Sequence, residues 1–138
     1  MQGREAGDRE AMTEVKICDV SLRDGMQILN RHAVIPLEAR LQLAEALVRS
    51  GVPYIEVGSF VNPRVVPAMQ DTSEVLRRLP PYDGQVAALA PTFEYYQLLR
   101  EAERVNTVAL FVSASEEYAQ KNTHMSVAQS LDAAAKVA

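Results

Sequence analysis

Cysteine is nearly absent from this sequence. Cys18 stands alone, so no intramolecular disulfide can form, and a lone thiol fits a reducing compartment. Long apolar runs are missing as well: no stretch approaches the roughly 20 consecutive apolar residues needed to cross a bilayer. Positive charge is in short supply, and a formal net charge of -4 leaves no basic patch for nucleic acid and no polybasic anchor for a membrane. The N-terminus is polar and mixed in charge, without the apolar core of a secretory leader, so residues 1–13 are expected to be disordered and 14–138 to form a cytoplasmic domain. Histidine is scarce too. His32 and His124 are isolated in loop-like sequence and read as solvated side chains, not metal ligands.

What is present is a 48% hydrophobic chain in which apolar, β-branched runs alternate with helical patterns, the mark of βαβ units. Val15 to Val20 reads as a first strand. Pro36 to Ser50 follows as a helix whose Leu37, Leu41, Ala44, Leu47 and Val48 recur at three- and four-residue steps, with Gly51 as its stop. Tyr54 to Val57 is a second strand, succeeded by a Pro-rich loop and a helix around Asp71 to Leu79; Pro80, Pro81 and Gly84 punctuate the turn. Gln85 to Leu89 is a third strand, Thr92 caps a helix over Phe93 to Glu103, and Val105 to Val112 is a fourth strand. Ser126 opens an Ala-rich final helix. The count is four βα units of an α/β protein.

Chemistry concentrates in Cys18-Asp19-Val20-Ser21-Leu22-Arg23-Asp24-Gly25-Met26-Gln27, where charged residues fall at the end of the first strand. Parallel strands bind ligands beyond their carboxyl ends. Asp19, Ser21 and Arg23 share a face if the extended conformation persists, and Asp24, one step further, is placed to hold a hard cation while the Arg23 fork meets an oxyanion. Gly25 reads as a turn residue with positive φ. The plain alternative is a surface Arg-Asp pair before a turn. Glu56 lies within the apolar strand Tyr54-Ile55-Glu56-Val57 and needs a partner, because an unpaired carboxylate there is costly. Cys18, inside the first strand, reads as a buried, inert small hydrophobe.

The Arg-Asp-Gly segment resembles the opening motif of the DRE-TIM metallolyases. Ile55-Glu56-Val57-Gly58-Ser59-Phe60-Val61-Asn62-Pro63-Arg64, continuing to Val66-Pro67-Ala68-Met69, is similar to the second-strand motif of the hydroxymethylglutaryl-CoA lyase family. Ser113-Ala114-Ser115-Glu116, with Lys121-Asn122, resembles that family's segment after the fourth strand. The resemblance implies a TIM (β/α)8 barrel, of which four βα units are the N-terminal half, since a complete barrel needs about 250 residues.

It further implies that Asp24 binds a divalent cation, Mg2+ or Mn2+, that Arg23 stabilises an enolate oxygen, and that Glu56 holds Arg23 or the substrate. Asp19 either assists or is a structural carboxylate. Ser59 matches a substrate-contacting serine and Gln27 the family glutamine, the alternative for Gln27 being an exposed loop residue. Ser113 and Lys121 either face coenzyme A or belong to an ordinary polar loop. The family's histidine pair belongs to a later strand and its reactive cysteine to a glycine-rich loop late in the barrel.

The implied activity is carbon–carbon cleavage of 3-hydroxy-3-methylglutaryl-CoA, or a close acyl-CoA analogue, to acetyl-CoA and a keto acid. One departure is Met26 and the absence of an acidic residue in Asp24-Gly25-Met26-Gln27-Ile28-Leu29-Asn30; Asp-Gly-Met also occurs in related 4-hydroxy-2-oxoacid aldolases, so an aldolase or a Claisen-type acyl-CoA synthase is the second enzyme reading. A non-catalytic half-barrel is the third. Expected partners are an acyl-CoA substrate and either a second copy of the chain or the missing half-barrel, because an open parallel sheet leaves edges to be paired.

Overall fold

In the computed structural model of the chain, residues 15–28 and 35–137 are described. The expected disordered segment 1–13 and His32 lie outside them. The elements run β1 (Cys18–Asp19), one π-helical turn (Ser21–Gly25), α1 (Leu37–Ser50), β2 (Tyr54–Ser59), a 3-10 turn (Pro67–Met69), α2 (Thr72–Arg78), β3 (Gln85–Leu89), α3 (Phe93–Arg100), β4 (Thr107–Ala109), α4 (Glu116–Thr123) and α5 (Val127–Ala135). The four strands form one parallel sheet in the order β1-β2-β3-β4, as successive βα units require.

Local chemistry sets the helix ends. α1 begins after Pro36 and stops at Gly51, whose φ of 71° is the left-handed conformation a glycine adopts without penalty. Thr92 accepts from the Tyr95 amide at the start of α3. Ser126 and Gln129 form a reciprocal capping box at the start of α5. Leu41 and Ala44 of α1 and Val75 and Leu76 of α2 are buried with Ile55 and Val57 of β2 and Val86 and Ala88 of β3, so the core lies between helices and sheet. Leu22, fully buried, drops into the same core from the π turn.

Three expectations need correction. The strand pattern of Val15 to Val20 is realised only at Cys18–Asp19, because Asp19 turns the chain by accepting from the amide and hydroxyl of Ser21, and a helical turn replaces the extended end. Asp19, Ser21 and Arg23 therefore do not share a strand face. The fourth strand is likewise confined to Thr107–Ala109. After it the polar segment holds a helix, α4, started by Ser115 accepting from the Tyr118 amide and favoured by Glu116 and Glu117 in its first turn. Only Ala119 of α4 is buried, so no apolar stripe announces it.

Candidate active site

At the C-terminal end of β1 and β2 the π turn and the sheet meet. One nitrogen of the Arg23 guanidinium (Nη2) lies 2.8 Å from Glu56 Oε2 and the other (Nη1) lies 2.7 Å from Asp24 Oδ1. The Glu56 side chain is only 5% exposed, whereas that of Asp24 is 55% exposed. Glu56 thus finds the partner its burial demands. Partial burial pulls the Arg23 pKa down, but the hydrogen bond and charge of Glu56, with Asp24 behind them, outweigh it; the net shift is upward and the group is a fixed cation. Arg23 Nε and Glu56 Oε1 remain buried and unpartnered among the described residues. A buried donor and acceptor left unspent in this pair suit a ligand that brings the opposite groups.

The strand that carries Glu56 is not regular. Glu56 pairs with Ala87 and Ser59 with Leu89, so three steps along β2 match two along β3. This bulge gives Ser59 the same face as Glu56, whereas strict alternation would send it to the other side. Ser59 is buried, its amide donating to Thr72 Oγ1 (3.2 Å) and its hydroxyl reaching the Leu89 carbonyl at 3.4 Å. Gly58 makes this junction possible, since a Cβ there would stand 2.5 Å from Thr72 Oγ1.

The other residues singled out by sequence are dispersed. Gln27 is exposed and lines a cleft at this end of the sheet, shared with the loop after β2, the ends of β3 and β4, and α4. Ser113 is engaged in its own turn, its hydroxyl accepting from the Ser115 amide (3.0 Å) and donating to the Ser115 carbonyl (3.2 Å). Lys121 is exposed on α4; its neighbours Asn122 and Thr123 line the cleft. His124 caps α4 in the left-handed conformation.

Gly25 has no positive φ, lies within the π turn, and a Cβ there would meet only ordinary van der Waals contacts with Ser21 and Val20 at 3.9 Å, so no conformational demand for glycine exists there. Cys18 is exposed rather than buried, because among the described residues β1 pairs only with β2. Residual desolvation and then the charges of Glu56 and Asp19 push its thiol above the ordinary value, which disfavours the reactive thiolate. Sequence reasoning misses Thr72, the hydroxyl that ties β2 to α2, and the aromatic cleft residues Phe111 and Tyr118; the small residue at Gly58 is the one local hint of the former.

A divalent cation is tested by the donors available. The accessible Asp24 carboxylate is the oxygen donor that a hard cation prefers, but both Asp19 oxygens are taken by Ser21, and the described residues contain no group of three His, Cys, Asp or Glu able to hold a metal. Asp24 fits one position of such a site. None of the helices among the described residues is long and apolar enough to cross a membrane.

The HMGL-like family profile matches residues 14–138. Among curated proteins, the chain is 36% identical over 119 residues to mitochondrial hydroxymethylglutaryl-CoA lyase of Bos taurus, covering 86% of this chain and 36% of the relative. It is 37% identical over 122 residues to hydroxymethylglutaryl-CoA lyase of Pseudomonas mevalonii, covering 88% and 40%. The crystal structure of the Bacillus subtilis HMG-CoA lyase superposes with a TM-score of 0.82 at 33% identity, over 90% of this chain and 41% of that one. An Acinetobacter baumannii HMG-CoA lyase solved with coenzyme A and 3-methylmalate superposes with a TM-score of 0.80 at 30% identity, over 88% and 39%. The chain thus spans about two fifths of the length of these relatives, and its four parallel βα units correspond to part of their TIM barrel.

Proposed function

The chain belongs to the HMGL-like family, and on that premise we propose that it supplies the oxyanion-stabilising part of a carbon–carbon lyase that cleaves 3-hydroxy-3-methylglutaryl-CoA, or a close 3-hydroxyacyl-CoA, to acetyl-CoA and a keto acid. The observation that carries this reading is the Arg23–Glu56 pair: a buried carboxylate holds a guanidinium at the strand ends, where an acyl thioester would lie. In the reaction the substrate hydroxyl loses its proton, the C2–C3 bond breaks, and the electron pair passes to the thioester as an enolate. Protonation of that carbanion gives acetyl-CoA. Arg23 places fixed positive charge where the enolate oxygen develops, which lowers the barrier more than it tightens substrate binding. Glu56 positions Arg23, Ser59 and Gln27 orient the substrate, and Ser113 and Lys121 lie on the side of coenzyme A. Asp24 would hold a Mg2+ or Mn2+ ion, which when bound supplies Lewis-acid polarisation of substrate oxygens.

Met26 does not favour the aldolase. It is buried in the core, where Leu and Met exchange at small cost, so its identity reports packing and not substrate.

The test joins this chain to the remaining part of the Pseudomonas mevalonii lyase and follows acetyl-CoA release with manganese present. Arg23→Met alone would strand the Glu56 carboxylate and cost up to about 3–5 kcal/mol of stability. The double variant Arg23→Met/Glu56→Gln removes that penalty: it should recover the melting temperature and remain about 100- to 1,000-fold slower. A folded chimera whose turnover is indifferent to the double substitution would overturn the assignment.

A further inference from the structure

A parallel sheet whose strands follow in the order β1-β2-β3-β4 through right-handed crossovers carries its connecting helices on one face. Ile55 and Val86 point to that face, in the core beneath the helices. Tyr54 and Gln85, one step earlier on β2 and β3, therefore point to the other, together with Cys18, the neighbour of Tyr54 on β1. This second face is open: Cys18 and Gln85 are exposed and Tyr54 is half-buried. A sheet covered on one side alone is an incomplete layer arrangement.

The two edges of the sheet are open as well, since among the described residues β1 pairs only with β2 and β4 only with β3. Exposed apolar side chains gather along them. Of the eleven large hydrophobic residues exposed among the described residues, Val15, Ile17 and Val20 flank β1, while Leu110, Phe111 and Val112 directly follow β4. Leu131, 54% exposed on α5, extends the second group. More than half of the exposed apolar set thus belongs to two strand edges whose backbone groups also want partners.

We propose that a second copy of this chain covers both edges at once. The β1 edge of each copy pairs in parallel with the β4 edge of the other about a twofold axis along the strands, so that two four-stranded sheets close into one eight-stranded barrel. Each copy offers one edge of each kind, and both seams are then identical. Pairing β1 with β1 would leave both β4 edges bare, and open head-to-tail stacking would leave a bare edge at each end; the twofold arrangement leaves none. Eight strands enclose an interior that side chains just fill, which also covers the open face bearing Cys18, Tyr54 and Gln85. Both Arg23–Glu56 pairs then stand at one mouth of the barrel. The pairing itself does not depend on the lyase reading.

Light scattering behind size-exclusion chromatography tests this on the intact chain. The mass should be twice 15.2 kDa with nothing larger. Each copy carries a net charge of -4, so screening their repulsion with salt should tighten the dimer. Ile17→Asp and Leu110→Lys, both at exposed positions, should each weaken it about tenfold or more by placing a charge in an apolar seam, with circular dichroism verifying the fold. Combined in one chain they should recover much of the loss, because β1 against β4 brings opposite charges together, whereas β1 against β1 brings like charges together. Oxidation should not trap the dimer through Cys18, since the two β1 strands lie on opposite sides of the barrel and a disulfide needs Cα atoms within about 7 Å. A monomer at tens of micromolar overturns the proposal, as does a ladder of larger species. So does a double variant no tighter than either single one, or complete trapping of the dimer by a Cys18–Cys18 disulfide.

Discussion

Cys18 shows how a residue's surroundings outweigh its exposure. Partial desolvation, and after it the negative potential of Glu56 and Asp19, disfavours the thiolate, so the folded protein holds that proton to higher pH than the unfolded chain does. Stability from this group is therefore complete below the unfolded thiol value and declines as pH rises towards the folded one. Alkylation by iodoacetamide should be slower than for free cysteine near pH 8, with a rate–pH curve displaced upward, and Glu56→Gln should move the curve back down. An undisplaced curve in the native chain would contradict the electrostatic account. Asp24 permits a second expectation. With one carboxylate available and no three-residue ligand group among the described residues, the chain by itself should bind Mn2+ only weakly. Calorimetry revealing a tight one-to-one site would mean that ligands exist beyond Asp24.

At the scale of elements, the junction of β2 with α2 is the most demanding. Thr72 Oγ1 accepts from the Ser59 amide and lies within donating distance of the carbonyls of Met69 (2.8 Å) and Ser59 (3.1 Å). Gly58→Ala would press a methyl into that hydroxyl, and forcing the two apart should cost about 1–3 kcal/mol in a denaturant melt. Because the same bulge orients Ser59, the variant should also impair the chimera's turnover; unchanged stability would show that the junction yields without cost. Helix boundaries, by contrast, are readable from single residues: Gly51, Thr92 and Ser126 each do locally what their types suggest. Ser126→Ala should cost about 1 kcal/mol, measured in the same melt. α4 escapes such reading because its helix rests on a cap and on charge near its first turn, with almost no buried face.

For the whole molecule, the outer edges of β1 and β4 carry no partner strand among the described residues, and Val15, Ile17, Leu110 and Phe111 near those edges are exposed. Unpaired edges with apolar surface favour association. Size-exclusion chromatography of the purified chain should show species larger than a monomer; a clean monomer at tens of micromolar would argue that the edges are adequately shielded. Alone, the chain should release no acetyl-CoA above an Asp24→Ala control, since the proposed reaction needs a cation with its full ligand set, a stabilised oxygen and a proton-transfer group acting together, and the described residues supply one candidate ligand and one arginine proposed to stabilise the oxygen. Turnover clearly above that control would reveal further groups.

By itself the amino-acid order determines the alternation of strands and helices and the parallel α/β class, because hydrophobic period and capping chemistry act over a few residues, whereas the grouping of Arg23, Asp24 and Glu56 follows from the family resemblance. Only the tertiary structure decides that Glu56 holds Arg23 within the chain and that Ser59 shares Glu56's face. The Ser59 outcome depends on the register between β2 and β3 and on the Thr72 hydroxyl 13 residues away, interactions with no local sequence period to announce them.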